Sequence, residues 1–224
     1  FPYSDPIADG PVIQASYTRA LGKHLHVNEI FAAVREVSGG SKWSHAAPPL
    51  VAMVAYAIIF RMGSEAFVCG ARDAGFAGLI VPDLPADEAQ DLAALARAHG
   101  LDLVQLIAPT TTEERTRRIL ETATGFLYCI SVAGTTGVRD QLPAELKDQL
   151  KWLKAQTDLP LAVGFGISRP EQVDELRGLA DGVIVGSAIV KHVAAITEQG
   201  VTAEIALKNV GTLAAAMVAA THRA

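Results

Sequence analysis

A carboxylate on a stiff loop and pairs of glycines at strand ends are the residues of this chain best suited to chemistry. Asp5 and Asp9 lie in the opening run Phe1-Pro2-Tyr3-Ser4-Asp5-Pro6-Ile7-Ala8-Asp9-Gly10-Pro11. Proline fixes φ along this run, and Pro11 suits the first helical position, where a missing N–H is harmless. Val12 to Leu21 then reads as helix, so Asp9 stands on a rigid loop beside a helix start. A carboxylate held there can hydrogen-bond a ligand, while turn and cap roles fit both aspartates equally well on spacing alone. Further along, Gly164-Phe165-Gly166-Ile167-Ser168 and Gly186-Ser187 each follow an apolar run. Glycines there let backbone approach a ligand closely, Ser168 can cap the next helix, and the helix Ala188–Glu198 offers free N–H groups and a dipole to an anion. One such glycine pair is ordinary turn geometry, but two in the last two units of a repeat point to a phosphate site.

The elements that position these residues alternate regularly. Apolar runs at Leu50–Tyr56, Gly78–Val81, Asp102–Ile107, Gly125–Ser131, Leu161–Phe165 and Gly182–Val185 read as strands. Helical patterns lie between and after them, near 27–37, 63–74, 86–99, 112–121, 144–157, 170–177, 189–198 and 203–220. Strands apolar throughout, each followed by a helix, indicate a parallel sheet covered by helices. No linker interrupts the rhythm, so residues 1–224 read as a single domain. If the phosphate loops are those after strands seven and eight of a (β/α)8 barrel, the six visible strands are the third to the eighth. The first two would then lie upstream of Phe1.

Composition excludes several function classes. Half of the 224 residues are hydrophobic, enough for one sizeable core. A net charge of −5 without a basic block argues against a nucleic-acid or anionic-membrane surface. Cys69 and Cys129 lie in apolar stretches and read as buried thiols of a cytoplasmic protein. No apolar run reaches membrane-spanning length on this reading, and no signal peptide is expected. The six histidines do not cluster, and neither they nor the cysteines show metal-site spacing, so no metal is expected.

The string Ser4-Asp5-Pro6-Ile7-Ala8-Asp9-Gly10-Pro11 resembles the signature of the tryptophan synthase alpha subunit family. The resemblance continues through Val81-Pro82-Asp83-Leu84-Pro85, Ala108-Pro109-Thr110-Thr111-Thr112, Ser131-Val132-Ala133-Gly134-Thr135-Thr136-Gly137 and Gly164-Phe165-Gly166-Ile167-Ser168, in the family's order. It implies an α/β fold, the (β/α)8 TIM barrel, and retro-aldol cleavage of indole-3-glycerol phosphate to indole and glyceraldehyde 3-phosphate. It implies that Asp9 holds the indole N–H during catalysis. Gly137, Gly164, Gly166, Gly186 and Ser187 match positions lining the phosphate, and Thr136 matches a threonine that orients the aspartate when a loop closes as a lid. Arg139 in that loop would be cut first by trypsin. Tyr128 and Asp83 match residues at the pocket, and Phe165 and Leu106 would form apolar walls for the indole ring. Asp83 could equally be the N-cap of the helix at 86–99. No cofactor is implied for this chain; pyridoxal phosphate belongs to the beta partner, with which the family forms an α2β2 heterotetramer.

Some positions depart from the family. Its general acid–base is a glutamate eleven residues before the aspartate matched by Asp9, a position ahead of Phe1. The polypeptide as written is therefore expected to turn over poorly, because a positioned acid contributes roughly 10²–10⁴ in rate. A barrel without two strands would also leave open edges. Ala55-Tyr56-Ala57-Ile58 replaces the family's Tyr-x-Asn-Pro, and Tyr17 stands where the family has a small residue or Asn near the beta-docking surface. Two alternatives remain on this reading: another phosphate-binding barrel enzyme, or a non-catalytic partner that activates a beta subunit. Strand-end lysines would favour the synthase that makes indole-3-glycerol phosphate, and the expected strands show none.

Overall fold

The computed structural model describes residues 1–6, 9–39, 48–131, 144–164 and 166–222. These fall into two compact units. The first comprises Phe1–Ala8, Tyr17–Leu106 and Thr112–Phe126; the second comprises Asp9–Ser16, Ile107–Thr111 and Leu127–Ala224. Helix α1 (Pro11–Leu21) begins at the proline, as the sequence predicts, with Gly10 O accepting from Ile13 N and Gln14 N at 3.0 Å each.

In the first unit, helix α2 (Val27–Gly39) is followed by strand β1 (Leu50–Met53), helices α3 (Tyr56–Met62) and α4 (Ser64–Ala74), and strand β2 (Phe76–Ile80). A 3₁₀ turn at Ala86–Glu88 leads into α5 (Gln90–Ala98), then β3 (Asp102–Ile107) and α6 (Glu113–Thr122). β1, β2 and β3 pair in parallel, with Val51 opposite Gly78 and Leu79 opposite Leu103. An aromatic cluster fills the core: the Phe31 and Phe67 rings are 5.3 Å apart, and Phe1 lies 5.8 and 5.7 Å from them. Such pairs add about 0.5–1.5 kcal/mol each beyond area burial. Two sequence expectations are corrected here. The first strand stops at Met53 rather than Tyr56, and the rest of its apolar run forms α3, with Ile59 buried and Phe60 74% exposed. The helix expected over 86–99 divides into the 3₁₀ turn and α5.

The second unit carries strands β4 (Leu127–Ile130), β5 (Leu161–Gly164) and β6 (Gly182–Val183), also parallel. Its helices are α7 (Ala144–Lys154), α8 (Pro170–Asp174), α9 (Ser187–Glu198) and α10 (Ala203–Thr221). Leu146, Leu150 and Leu153 repeat at helical spacing and are fully buried, as are Leu127, Leu161 and Val163 on the strands. Each such side chain contributes about 1.5–3 kcal/mol. The expectation that no apolar run reaches spanning length is also corrected. By length and composition α10 alone does so among the described residues, with a mean hydropathy of 1.3. It packs on α8 and α9, buries Ala206, Met217 and Ala220, and accepts a hydrogen bond from Arg177 at Ala220 O, 3.0 Å.

Candidate functional site

The Asp9 loop is built from its own backbone. The carbonyl of Asp9 accepts from Gln14 Nε2 at 2.7 Å, tying the loop to the first turn of α1. The residue is half-buried, and its negative charge reaches Tyr128 on β4. Burial first, and the Asp9 charge second, push the Tyr128 phenol up to about 12. Tyr128 is only 6% exposed, so at neutral pH it presents a neutral hydroxyl able to donate and accept.

Strand register explains the glycine beside it. Tyr128 pairs with Ala162 and Ile130 with Gly164, so the tyrosine ring leans across the end of β5. A Cβ on Gly164 would stand 2.6 Å from both Cε1 and Cζ of that ring, closer than real Cβ contacts come. Gly164 is thus required by the tyrosine packed over it. The structure brings Asp9, Tyr128 and Gly164 together.

Beyond β5 the chain turns at Gly166, whose φ of +83° lies in the left-handed region that only glycine adopts without strain. Gln172 then organises the loop. Its Oε1 accepts from Ser168 N (2.9 Å) and Arg169 N (3.0 Å), while its Nε2 donates to Gly166 O (3.1 Å). Ser168 was the expected cap of this helix; instead Gln172 reaches back to the cap position, with Pro170 at the first helical residue. The signal was present as Arg169-Pro170-Glu171-Gln172, a capping box without its usual Ser or Thr. β6 runs parallel beside β5, with Val163 opposite Val183, so Gly164–Gly166 and Gly186 lie at the same ends of adjacent strands. Gly186 is the N-cap of α9, which starts at Ser187, one residue before the expected start. Gly186 O accepts from Ile189 N and Val190 N, and the earlier N–H groups of the first turn have no partner within the helix. Adjacent strand ends, a left-handed glycine and a helix N-terminus together offer backbone N–H groups of the kind an anion accepts from.

Asp83 and Leu106 belong to the first unit. Asp83 caps no helix after it: the 3₁₀ turn begins after Pro85 and α5 after Ala89. Its Oδ1 accepts from Tyr56 N at 2.7 Å, so it satisfies an otherwise unpaired donor at the start of α3. Leu106 is half-buried near the end of β3. Thr136, Gly137, Arg139 and Phe165, with the rest of the expected lid, lie outside the described residues. Cys129 is buried as expected, but Cys69 is only half-buried and faces His99.

Comparison with known proteins gives this geometry a family. The sequence profile of the tryptophan synthase alpha chain matches residues 1–220. The chain belongs to that family. A tryptophan synthase alpha chain from Rhodopirellula baltica is 50% identical over 198 residues, covering 88% of this chain and 70% of the relative. One from Methanosarcina mazei is 48% identical over 201 residues, 89% and 69% of the two chains. A crystal structure of tryptophan synthase subunit alpha from Legionella pneumophila superposes with a TM-score of 0.84 at 35% identity, covering 98% of this chain and 79% of that one. The tryptophan synthase α2β2 complex from Pyrococcus furiosus gives 0.85 at 36% identity, covering 97% and 84%. The fold is accordingly that of the TIM-barrel class, and the family is a lyase family that cleaves indole-3-glycerol phosphate in tryptophan biosynthesis.

Proposed function

We propose that this chain binds indole-3-glycerol phosphate through the second unit's strand ends and carries the family's retro-aldol cleavage. The observation that supports it most is the grouping of Asp9, Tyr128 and Gly164 beside the glycine-rich ends of β5 and β6. Cleavage protonates indole C3, removes the proton of the glycerol hydroxyl next to the ring, and breaks the bond between them. The products are indole and glyceraldehyde 3-phosphate. As C3 takes its proton, positive charge develops on the indole nitrogen, and the Asp9 carboxylate stabilises it electrostatically. The hydroxyl of Tyr128 borders the same carboxylate. Backbone N–H groups at Gly166, Gly186 and Ser187 receive the phosphate, with Gln172 fixing the first of these loops. Asp83 and Leu106 are assigned the family roles of supporting carboxylate and apolar wall. Thr136, Gly137 and Phe165 are assigned the family roles of lid, phosphate and wall.

No step requires a cofactor on this chain. The Pyrococcus furiosus neighbour, solved as an α2β2 complex, supports a beta subunit as partner, and pyridoxal phosphate is assigned to that partner. A cytoplasmic setting fits two cysteines that form no disulfide.

The test is calorimetric titration of the polypeptide with indole-3-glycerol phosphate, followed by an indole assay with and without a beta subunit. Saturable one-to-one binding with indole release is expected. Absence of saturable binding would overturn the assignment, and binding without any indole even beside the beta subunit would favour the non-catalytic partner.

A further inference from the structure

The first unit contains a group of metal-ligating side chains that the proposed reaction does not use. Glu65 and Cys69 stand one turn apart on α4, and His99 closes the C-terminus of α5. Their ligand atoms lie within 4.8 Å of one another. Cys69 Sγ is 3.7 Å from Glu65 Oε1 and 3.9 Å from each ring nitrogen of His99, and His99 Nε2 is 3.0 Å from Glu65 Oε1. A tetrahedral zinc ion, with bonds of about 2.3 Å to sulfur and 2.0–2.1 Å to nitrogen and oxygen, holds its ligands roughly 3.3–3.6 Å apart. The triangle seen here needs shifts of only a few tenths of an ångström to become one face of such a site.

We propose that Glu65, Cys69 and His99 bind a divalent cation of the zinc class, with water in the fourth position. The site opens to solvent, since the Glu65 side chain is 70% exposed while that of His99 is 18% exposed. Thiolate, imidazole and carboxylate suit zinc or cobalt, whereas magnesium and calcium prefer oxygen alone. Two protons move on binding. The Cys69 thiol binds as the thiolate and releases one to solvent. Arg72 Nη1 lies 3.0 Å from His99 Nδ1, and because a guanidinium only donates, Nδ1 is the acceptor and Nε2 carries the ring proton toward Glu65. Ligation through Nε2 moves that proton to Nδ1, and Arg72 turns toward Asp73, which it already meets at 2.7 and 2.9 Å. Arg72 is thus a built-in competitor of the cation, set against the two carboxylates of Glu65 and Asp73.

Cobalt(II) makes the site visible, because a thiolate–cobalt bond gives a near-ultraviolet charge-transfer band. Titrating the full chain with cobalt should produce the band at one equivalent, and zinc should erase it. Cys129 does not compete, since burial pushes its thiol up to about 12. Cys69→Ser should abolish the band, and His99→Ala and Glu65→Gln should each weaken cobalt binding at least tenfold, the lower bound even for groups one shell further out. Arg72→Ala should tighten binding by about tenfold, because it removes a positive charge a few ångströms from the ion. Circular dichroism of each variant confirms the fold. No band in the unmodified chain, a band surviving Cys69→Ser, or binding indifferent to both Glu65→Gln and His99→Ala would each overturn the site.

Discussion

The strand ends of the two units spend their polar groups in opposite ways. After β2 in the first unit, the chain reads Pro82-Asp83-Leu84-Pro85, and the one carboxylate is committed to a backbone N–H of its own unit, at Tyr56. After β5 and β6 in the second unit, glycines leave the backbone open, and a side-chain amide, Gln172, is committed to shaping the loop. A carboxylate at a phosphate cradle would repel the ligand; an amide fixes the loop without adding charge. On the proposed function, the anion site is made from backbone, while acidic side chains serve either as scaffold, as Asp83 does, or, in the role proposed for Asp9, as the group facing developing positive charge.

That contrast can be broken most severely at Gly164. Gly164→Ala places a methyl group against the Tyr128 ring and should cost about 1–3 kcal/mol of stability through overpacking. The displaced tyrosine should also weaken indole-3-glycerol phosphate binding by tenfold or more, read by denaturant unfolding and calorimetry. Gln172→Ala comes next, since it strips two donors and one acceptor of their partner. Its expected cost is about 1–3 kcal/mol, with weaker binding of inorganic phosphate. Unaltered phosphate affinity there would show that the loop needs no such brace.

Tyr128 offers a spectroscopic version of the comparison. Its phenol is raised from 10.0 to about 12, so the folded state holds the proton more tightly than the unfolded chain. The stability this contributes, about 2–3 kcal/mol, is complete below pH 10 and is lost as the pH climbs toward 12. Tyrosinate absorbance should show one of the four tyrosines titrating last, missing in Tyr128→Phe. Removing the Asp9 charge should bring that titration to lower pH. The smallest effect belongs to Asp83→Ala, which should cost about 0.5–2 kcal/mol as a lost cap and leave phosphate affinity unchanged.

Much of this was legible from residue order. β3 spans the expected 102–107, and Pro11 opens α1, because an apolar run bounded by turns and a proline after glycine carry local physical signals. What escaped notice depends on distant contacts. Leu50 to Phe60 is one apolar run, and nothing within it marks where strand gives way to helix; Asp83, far along the chain, supplies the hydrogen bond at α3. The meeting of Cys69 with His99 spans thirty residues and is invisible to spacing rules made for sequential ligand motifs. Gln172 takes the capping role because its amide reaches the N–H groups of Ser168 and Arg169 and the carbonyl of Gly166 at once, a contact that residue order does not distinguish from capping by Ser168. The assignment of Asp9 came from resemblance, since its spacing alone fitted a turn equally well.

The central claim is that Asp9 recognises the indole end of the substrate while the glycine-rich strand ends recognise its phosphate. Calorimetry of Asp9→Asn with two ligands, indole-3-glycerol phosphate and glycerol 3-phosphate, tests this most directly. Loss of a charged hydrogen bond should weaken the indole ligand by roughly 10- to 100-fold and leave glycerol 3-phosphate binding as it was. Equal weakening of both ligands, or of neither, would contradict that division of labour.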